Sequence, residues 1–190
     1  MSKKILIMAG GTGGHIFPAL AIAKELKERG AVVEWLGGKN AMESRLVPRH
    51  GYKFHGVSSS GLRGKNLLVI LKAFFLLGCG FFQTVIIFIK YRPNIVIGMG
   101  GYASGIGGLI SKLFFVPLFI HEQNSVPGTT NRLLSRLASK CFQAFEDTFP
   151  ESAGAITTGN PILFNPIPKN RPKSVKNLLV LGGSLGAKKI

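Results

Sequence analysis

Acidic residues are scarce: 8 of the 190 residues are Asp or Glu, against 24 Lys and Arg, and Asp147 is the sole aspartate. That excludes an Asp-x-Asp cluster of the kind that holds a divalent cation on a diphosphate, so no metal site and no bound cofactor are expected. The net charge of +16 favours anionic partners instead: phosphorylated substrates, acidic lipid or nucleic acid. Cysteine is nearly absent too. Cys79 and Cys141 stand far apart in apolar surroundings, with no C-x-x-C pair. This excludes a disulfide framework and a structural zinc site, and predicts two buried free thiols in a reducing cytoplasm. The apolar run behind Lys3 and Lys4 is too short for the core of a signal peptide, and reads as a first strand.

Apolar residues and glycine are plentiful: 46% of the chain is hydrophobic, 25 residues are glycine and the mean hydropathy is +0.29. Strand-like runs recur at residues 5 to 8, 32 to 36, 53 to 57, 94 to 97, 117 to 121 and 140 to 144, with helix-like segments between most of them. That alternation predicts a doubly wound parallel α/β sheet with its ligand at the carboxyl ends of the strands. In the first unit, Leu20, Ile22, Ala23 and Leu26 mark one helix face, and Lys24, Lys27, Arg29 and Gly30 close the helix. Residues 164 to 176, "FNPIPKNRPKSVK", carry three prolines and no apolar periodicity, which predicts a linker after a domain at 1 to 163. A further strand and glycine turn, "NLLVLGGSLGAKKI" at 177 to 190, reads as the start of a second α/β domain.

Three glycine loops carry the chemistry. In "GGTGGH", residues 10 to 15, the Lys-Ser/Thr ending of a Walker loop is missing and Ile16 stands where a dinucleotide fingerprint needs glycine. Amides converging on a helix start still form an anion seat, and His15 adds a titratable group beside it. The second loop, "GMGGYASGIGG" at 98 to 108, fits G-x-G-x-x-A through Gly98, Gly100 and Ala103, with Glu122 ending the next strand. An NAD-dependent dehydrogenase is therefore a rival reading. The third, "GGSLGA" at 182 to 187, repeats the theme after the linker. The cluster "HEQNSVPG", residues 121 to 128, belongs at the same sheet edge.

Residues 67 to 90, "LLVILKAFFLLGCGFFQTVIIFIK", have only Lys72, Gln83 and Thr84 as polar breaks. A transmembrane span, a wholly buried helix and a crossover helix with one face dipping into a bilayer all fit this composition. The strand alternation, which needs a crossover helix here, favours the last. No acidic residue lies between Glu43 and Glu122, while Arg45, Arg49, Lys53, Arg63, Lys65, Lys72, Lys90, Arg92 and Lys112 are basic. Such a surround suits an anionic lipid surface. The expected lipid contacts are Leu67, Ile70, Leu71, Lys72, Phe74, Phe75 and Phe82. Nucleic acid is not expected, because the charge surrounds an apolar helix without interleaved exposed aromatics.

Taken in order, "GGTGGHIFPALAIA", "GLRGK", "GMGGYASGIGG", "HEQNSVPGTTNRLL", "TGNPI" and "GGSLGA" resemble the MurG family of peptidoglycan glycosyltransferases over essentially the whole chain. The resemblance implies a GT-B architecture of two Rossmann-like domains flanking a cleft. It also implies inverting transfer of N-acetylglucosamine from UDP-N-acetylglucosamine to an undecaprenyl-linked muramoyl-pentapeptide, at the cytoplasmic face of the bacterial inner membrane, in cell-wall synthesis. It assigns Thr12, Gly13, Gly14, Asn124 and Ser184 to the donor, and Gly11, Gly13, Gly14, Gly100, Gly101 and Tyr102 to the acceptor diphosphate. His15 is the first candidate for general base and Glu122 the second. Leu163 stands where relatives often carry a donor-contacting arginine. With the second domain reduced to its first residues, a membrane-binding remnant without catalysis is the alternative.

Overall fold

The structure, a computed structural model, describes residues 2 to 58 and 67 to 163, with residues 67 to 70 by backbone only. The expected linker and second-domain start, Ser184 included, lie outside the described residues, as do the side chains of Leu67 and Ile70. Seven parallel strands form one sheet in the order β3-β2-β1-β4-β5-β6-β7. They are β1 (Lys4–Met8), β2 (Val32–Gly38), β3 (Lys53–Val57), β4 (Ile95–Gly98), β5 (Leu118–Glu122), β6 (Lys140–Gln143) and β7 (Ile156–Thr157). The Rossmann-like doubly wound α/β fold expected from the alternation is present. The two-residue β7 and the eight-residue helix α2 (Met42–Arg49) are additional elements.

The pleat sends alternate residues of β1 to opposite layers, and both layers are apolar. Ile5, Ile7 and Ala9 pack with Ile16, Ala19, Leu20 and Ala23 of helix α1 (Gly13–Glu28) and with Val47 of α2. Leu6 and Met8 face the other layer, built by α3 (Leu67–Tyr91), α4 (Tyr102–Leu113) and α5 (Thr129–Leu134) through Phe88, Ile110 and Leu134. The strand order reverses between β1 and β4. Loops leaving those two strands therefore diverge from a crevice at the carboxyl edge, and both are glycine loops.

α3 is the crossover between β3 and β4. Ala73, Thr84, Phe88 and Tyr91 are buried along its inner side, whereas Leu71, Phe74, Phe82, Ile86 and Ile89 are exposed and Phe75 is 71% exposed. The wholly buried reading is thus corrected: over the stretch Leu71–Tyr91, long and apolar enough to cross a membrane, only 22% is buried. Cys141 is buried as expected, and burial pushes its thiol above the ordinary range; Cys79 is only half-buried.

Candidate active site

The first glycine loop is fixed from below. Trp35, fully buried on β2, donates its indole N–H to the Ala9 carbonyl at 3.0 Å. Glu43 of α2, 2% exposed, reaches under the loop: Oε2 accepts the Gly11 N–H at 3.2 Å and Oε1 the Gly38 N–H at 2.9 Å. A side chain at Gly10 would collide with this carboxylate, and one at Gly37 would come within 2.6 Å of its Cγ. Glycine at both positions lets the carboxylate in. Sequence reasoning missed Glu43 because it lies 32 residues from its loop partner, in a helix of only eight residues.

Beyond the loop, Thr12 caps α1 in an extended conformation, and its carbonyl receives the amides of His15 and Ile16. Its hydroxyl makes no capping bond, which leaves it available to a ligand. The Gly13 and Gly14 amides open the helix without a partner among the described residues. His15 Nδ1 lies 3.2 Å from the Gly10 carbonyl. A carbonyl only accepts, so Nδ1 carries a proton, and the tautomer that fits this bond has its lone pair at Nε2.

Nε2 points across to the second loop. A Cβ at Gly100 would sit 2.9 Å from His15 Nε2, and one at Gly101 would sit 2.7 Å from the Gly10 carbonyl oxygen. Gly100 and Gly101 have φ of +110° and +85°, in the region that favours glycine. Ser104 binds the loop to the sheet: its buried hydroxyl accepts the Gly100 N–H at 3.2 Å and lies 2.7 Å from the Met8 carbonyl. The loops thus meet over the β1–β4 crevice with the imidazole between them.

The amides divide into two sets. Those of Gly11 and Gly100 are held by Glu43 and Ser104 and shape the loops. Gly13, Gly14, Gly101 and Tyr102 keep amides that are unpartnered among the described residues.

Glu122 is a hub. It is 1% exposed; Oε1 accepts from Gln123 N, Asn124 N and Asn124 Nδ2, and Oε2 from Gly128 N and Asn131 Nδ2, at 2.8 to 3.1 Å. Five donors saturate the carboxylate, leaving no lone pair for a substrate proton or for the ribose hydroxyl that the NAD reading requires. Its role is to hold the loop 123 to 128 and to orient Asn124, whose side-chain oxygen has no donor among the described residues.

His121 is buried beneath this loop. Its Nε2 donates to the Gly159 carbonyl at 3.1 Å, and Nδ1 receives the Gln123 amide at 3.1 Å. The "TGNP" segment is thereby bound to β5, helped by Asn160 Nδ2 on the Gln123 carbonyl at 3.0 Å. Leu163 is half-buried against the apolar layer that holds Ile16, Leu20 and Ala23 of α1. Desolvation lowers the His121 pKa, outweighing the Gly159 bond and the Glu122 charge. The unfolded chain protonates this imidazole near the ordinary value of about 6.5, the folded chain only at lower pH. Between those values the unfolded state binds more protons, so stability falls as pH drops. A thermal melt should show a lower midpoint at pH 5.5 than at pH 7.5, and His121→Gln should flatten that dependence.

Glycine loops at the switch point of a parallel sheet occur in many enzymes, but the comparisons are specific. Residues 5–143 match the glycosyltransferase family 28 N-terminal domain. The chain is 57% identical over 189 residues to a UDP-N-acetylglucosamine--N-acetylmuramyl-(pentapeptide) pyrophosphoryl-undecaprenol N-acetylglucosamine transferase of Vesicomyosocius okutanii subsp. Calyptogena okutanii, covering 100% of this chain and 55% of the relative. It is 51% identical to the Stutzerimonas stutzeri protein of the same name, covering 98% and 54%. The chain thus spans about half the length of the curated relatives it matches. Among solved structures, Acinetobacter baumannii MurG superposes with a TM-score of 0.72 at 36% identity, over 88% of this chain and 46% of that one. A UDP-GlcNAc 2-epimerase from Neisseria meningitidis, 16% identical with a TM-score of 0.59 over 83% of this chain and 46% of that one, shares the fold alone. The chain belongs to the MurG family of glycosyltransferases, of which it carries the family 28 N-terminal domain.

Proposed function

We propose that this chain is the acceptor-binding half of an inverting glycosyltransferase that moves N-acetylglucosamine from UDP-N-acetylglucosamine to a lipid-linked muramoyl-pentapeptide. The observation that carries the reading is the convergence of the two glycine loops on the His15 imidazole. His15 Nε2 takes the proton of the acceptor hydroxyl, the C4 hydroxyl of the muramoyl sugar, as its oxygen attacks the anomeric carbon. The bond from that carbon to the UDP oxygen breaks on the opposite face, inverting the centre and releasing UDP. The free amides of Gly13, Gly14, Gly101 and Tyr102, at two helix starts, receive the acceptor diphosphate. Thr12 and Asn124 contribute donor contacts, with Ser184 and the rest of the donor site coming from the second domain.

The test is transfer of labelled N-acetylglucosamine to a lipid-linked muramoyl-pentapeptide analogue, by this chain alone and with the donor half of a relative added. Transfer on complementation is the expected result. No transfer in either arm, with the chain shown to be folded, favours the non-catalytic membrane-binding remnant.

The same chain is proposed to dock on the cytoplasmic face of the membrane through α3. Leu71, Phe74, Phe75 and Phe82 are exposed on it beside Lys72, and Phe115, 94% exposed, extends the apolar face beyond α4. Each basic residue near an anionic surface contributes about 1 kcal/mol. Cosedimentation should therefore be stronger with phosphatidylglycerol-containing vesicles than with phosphatidylcholine alone. Phe74→Asp with Phe75→Asp should weaken binding by about tenfold or more. Equal binding to both vesicles, or an unaffected double variant, argues against this docking.

A further inference from the structure

The layer of α3, α4 and α5 contains a groove that none of these roles uses. Leu77 of α3, Ile106 and Leu109 of α4, and Thr130 and Leu133 of α5 line a space of about 250 Å³ that begins at Tyr102. Its walls are almost wholly hydrocarbon and no charged residue lines it. We propose that this groove seats the first stretch of the prenyl chain attached to the acceptor diphosphate, an inference that rests on the acceptor reading above.

Continuity identifies the occupant. Tyr102 is the first residue of α4, directly after Gly100 and Gly101, and Thr129 and Thr130 open α5 directly after Gly128. Both helices begin at the carboxyl edge of the sheet, so a hydrocarbon leaving a diphosphate at the start of α4 enters the groove at once. At the other end Leu109 and Leu133 are 53% and 60% exposed, and Leu109 continues into exposed Leu113, Phe114 and Phe115. The groove thus joins the anion seat to the apolar face proposed to meet the membrane. It is below the usual ligand-pocket range of about 300–1,000 Å³, too small for a nucleotide and suited to a short branched hydrocarbon. Gly105 leaves the space open: a Cβ there would be in ordinary contact, 3.5 Å from Thr130 Cγ2, whereas a longer side chain would occupy the groove.

The test is calorimetric titration of the 190-residue chain with inorganic diphosphate, farnesyl diphosphate and farnesol. Farnesyl diphosphate should bind about tenfold or more tightly than inorganic diphosphate. Gly105→Leu should remove that increment while leaving inorganic diphosphate binding intact. Leu133→Asp, a surface substitution that spares the helix packing, should do the same. Phe115→Asp, on the open face, should leave the increment in place. Equal affinity for the two diphosphates, or an increment lost in Phe115→Asp but kept in both groove variants, overturns the proposal. Farnesol separates the two readings. Farnesol binding that Gly105→Leu abolishes, with neither diphosphate bound, fells the phosphate seat and supports the groove; farnesol binding unchanged by both groove variants fells the groove.

Discussion

Replacing His15 with alanine is expected to lower sugar transfer by about 10²–10⁴-fold, the usual contribution of a positioned general base. The assay is this chain completed by the donor half of a relative. Donor binding, measured by UDP titration, should be essentially unchanged, because the imidazole faces the second glycine loop of its own domain. His15→Asn is the sharper variant. Its amide N–H replaces the Nδ1 donor to the Gly10 carbonyl and keeps the loop in place, but nothing replaces the lone pair at Nε2. Loss of transfer in both variants assigns the proton transfer to Nε2. Loss in the alanine variant alone reduces His15 to a loop support, and near-normal transfer in both removes it from the mechanism. Glu122 does not compete for the role, since its two oxygens already accept five hydrogen bonds.

What could be read from the sequence follows from which interactions are local. A strand buried on both faces of a parallel sheet is a short apolar run bounded by turn residues, so β1, β2 and β5 were visible to within two residues. The glycine loops were visible because a strand-to-helix turn with φ near +90° excludes most side chains. α2 was not visible: "MESRLVPR" is two turns long with Pro48 near its end, too short for Met42, Leu46 and Val47 to establish a helical period. The division of labour among the loop amides was hidden as well. It depends on a carboxylate from α2 and a hydroxyl from α4, brought to the loops only by the sheet order. Glu122 shows the limit from the other side. An acid ending a strand in a glycine-rich α/β domain reads equally as a base, a ribose ligand or a loop anchor, and only its burial and its donors separate these.

Gly101→Ala is expected to destabilise the folded chain by about 3 kcal/mol or more. Two costs combine. At φ +85° and ψ 173°, Gly101 occupies a backbone region that is essentially restricted to glycine, at roughly 1–3 kcal/mol for any other residue. The new Cβ would also lie 2.7 Å from the Gly10 carbonyl oxygen, a backbone atom that cannot rotate aside. The neighbours separate the two contributions. Gly11, at φ +93°, has nothing within 4 Å of its Cβ position, so Gly11→Ala carries the backbone cost alone. At Gly100 the obstructing atom is His15 Nε2, on a side chain that can swing away, so Gly100→Ala should lose more transfer than stability. Urea unfolding of the three variants should therefore rank Gly101→Ala as the most destabilised, ahead of Gly100→Ala and Gly11→Ala. If Gly101→Ala is no worse than Gly11→Ala, the two loops do not touch. The crevice would then be open between β1 and β4, and His15 would have no second loop to face.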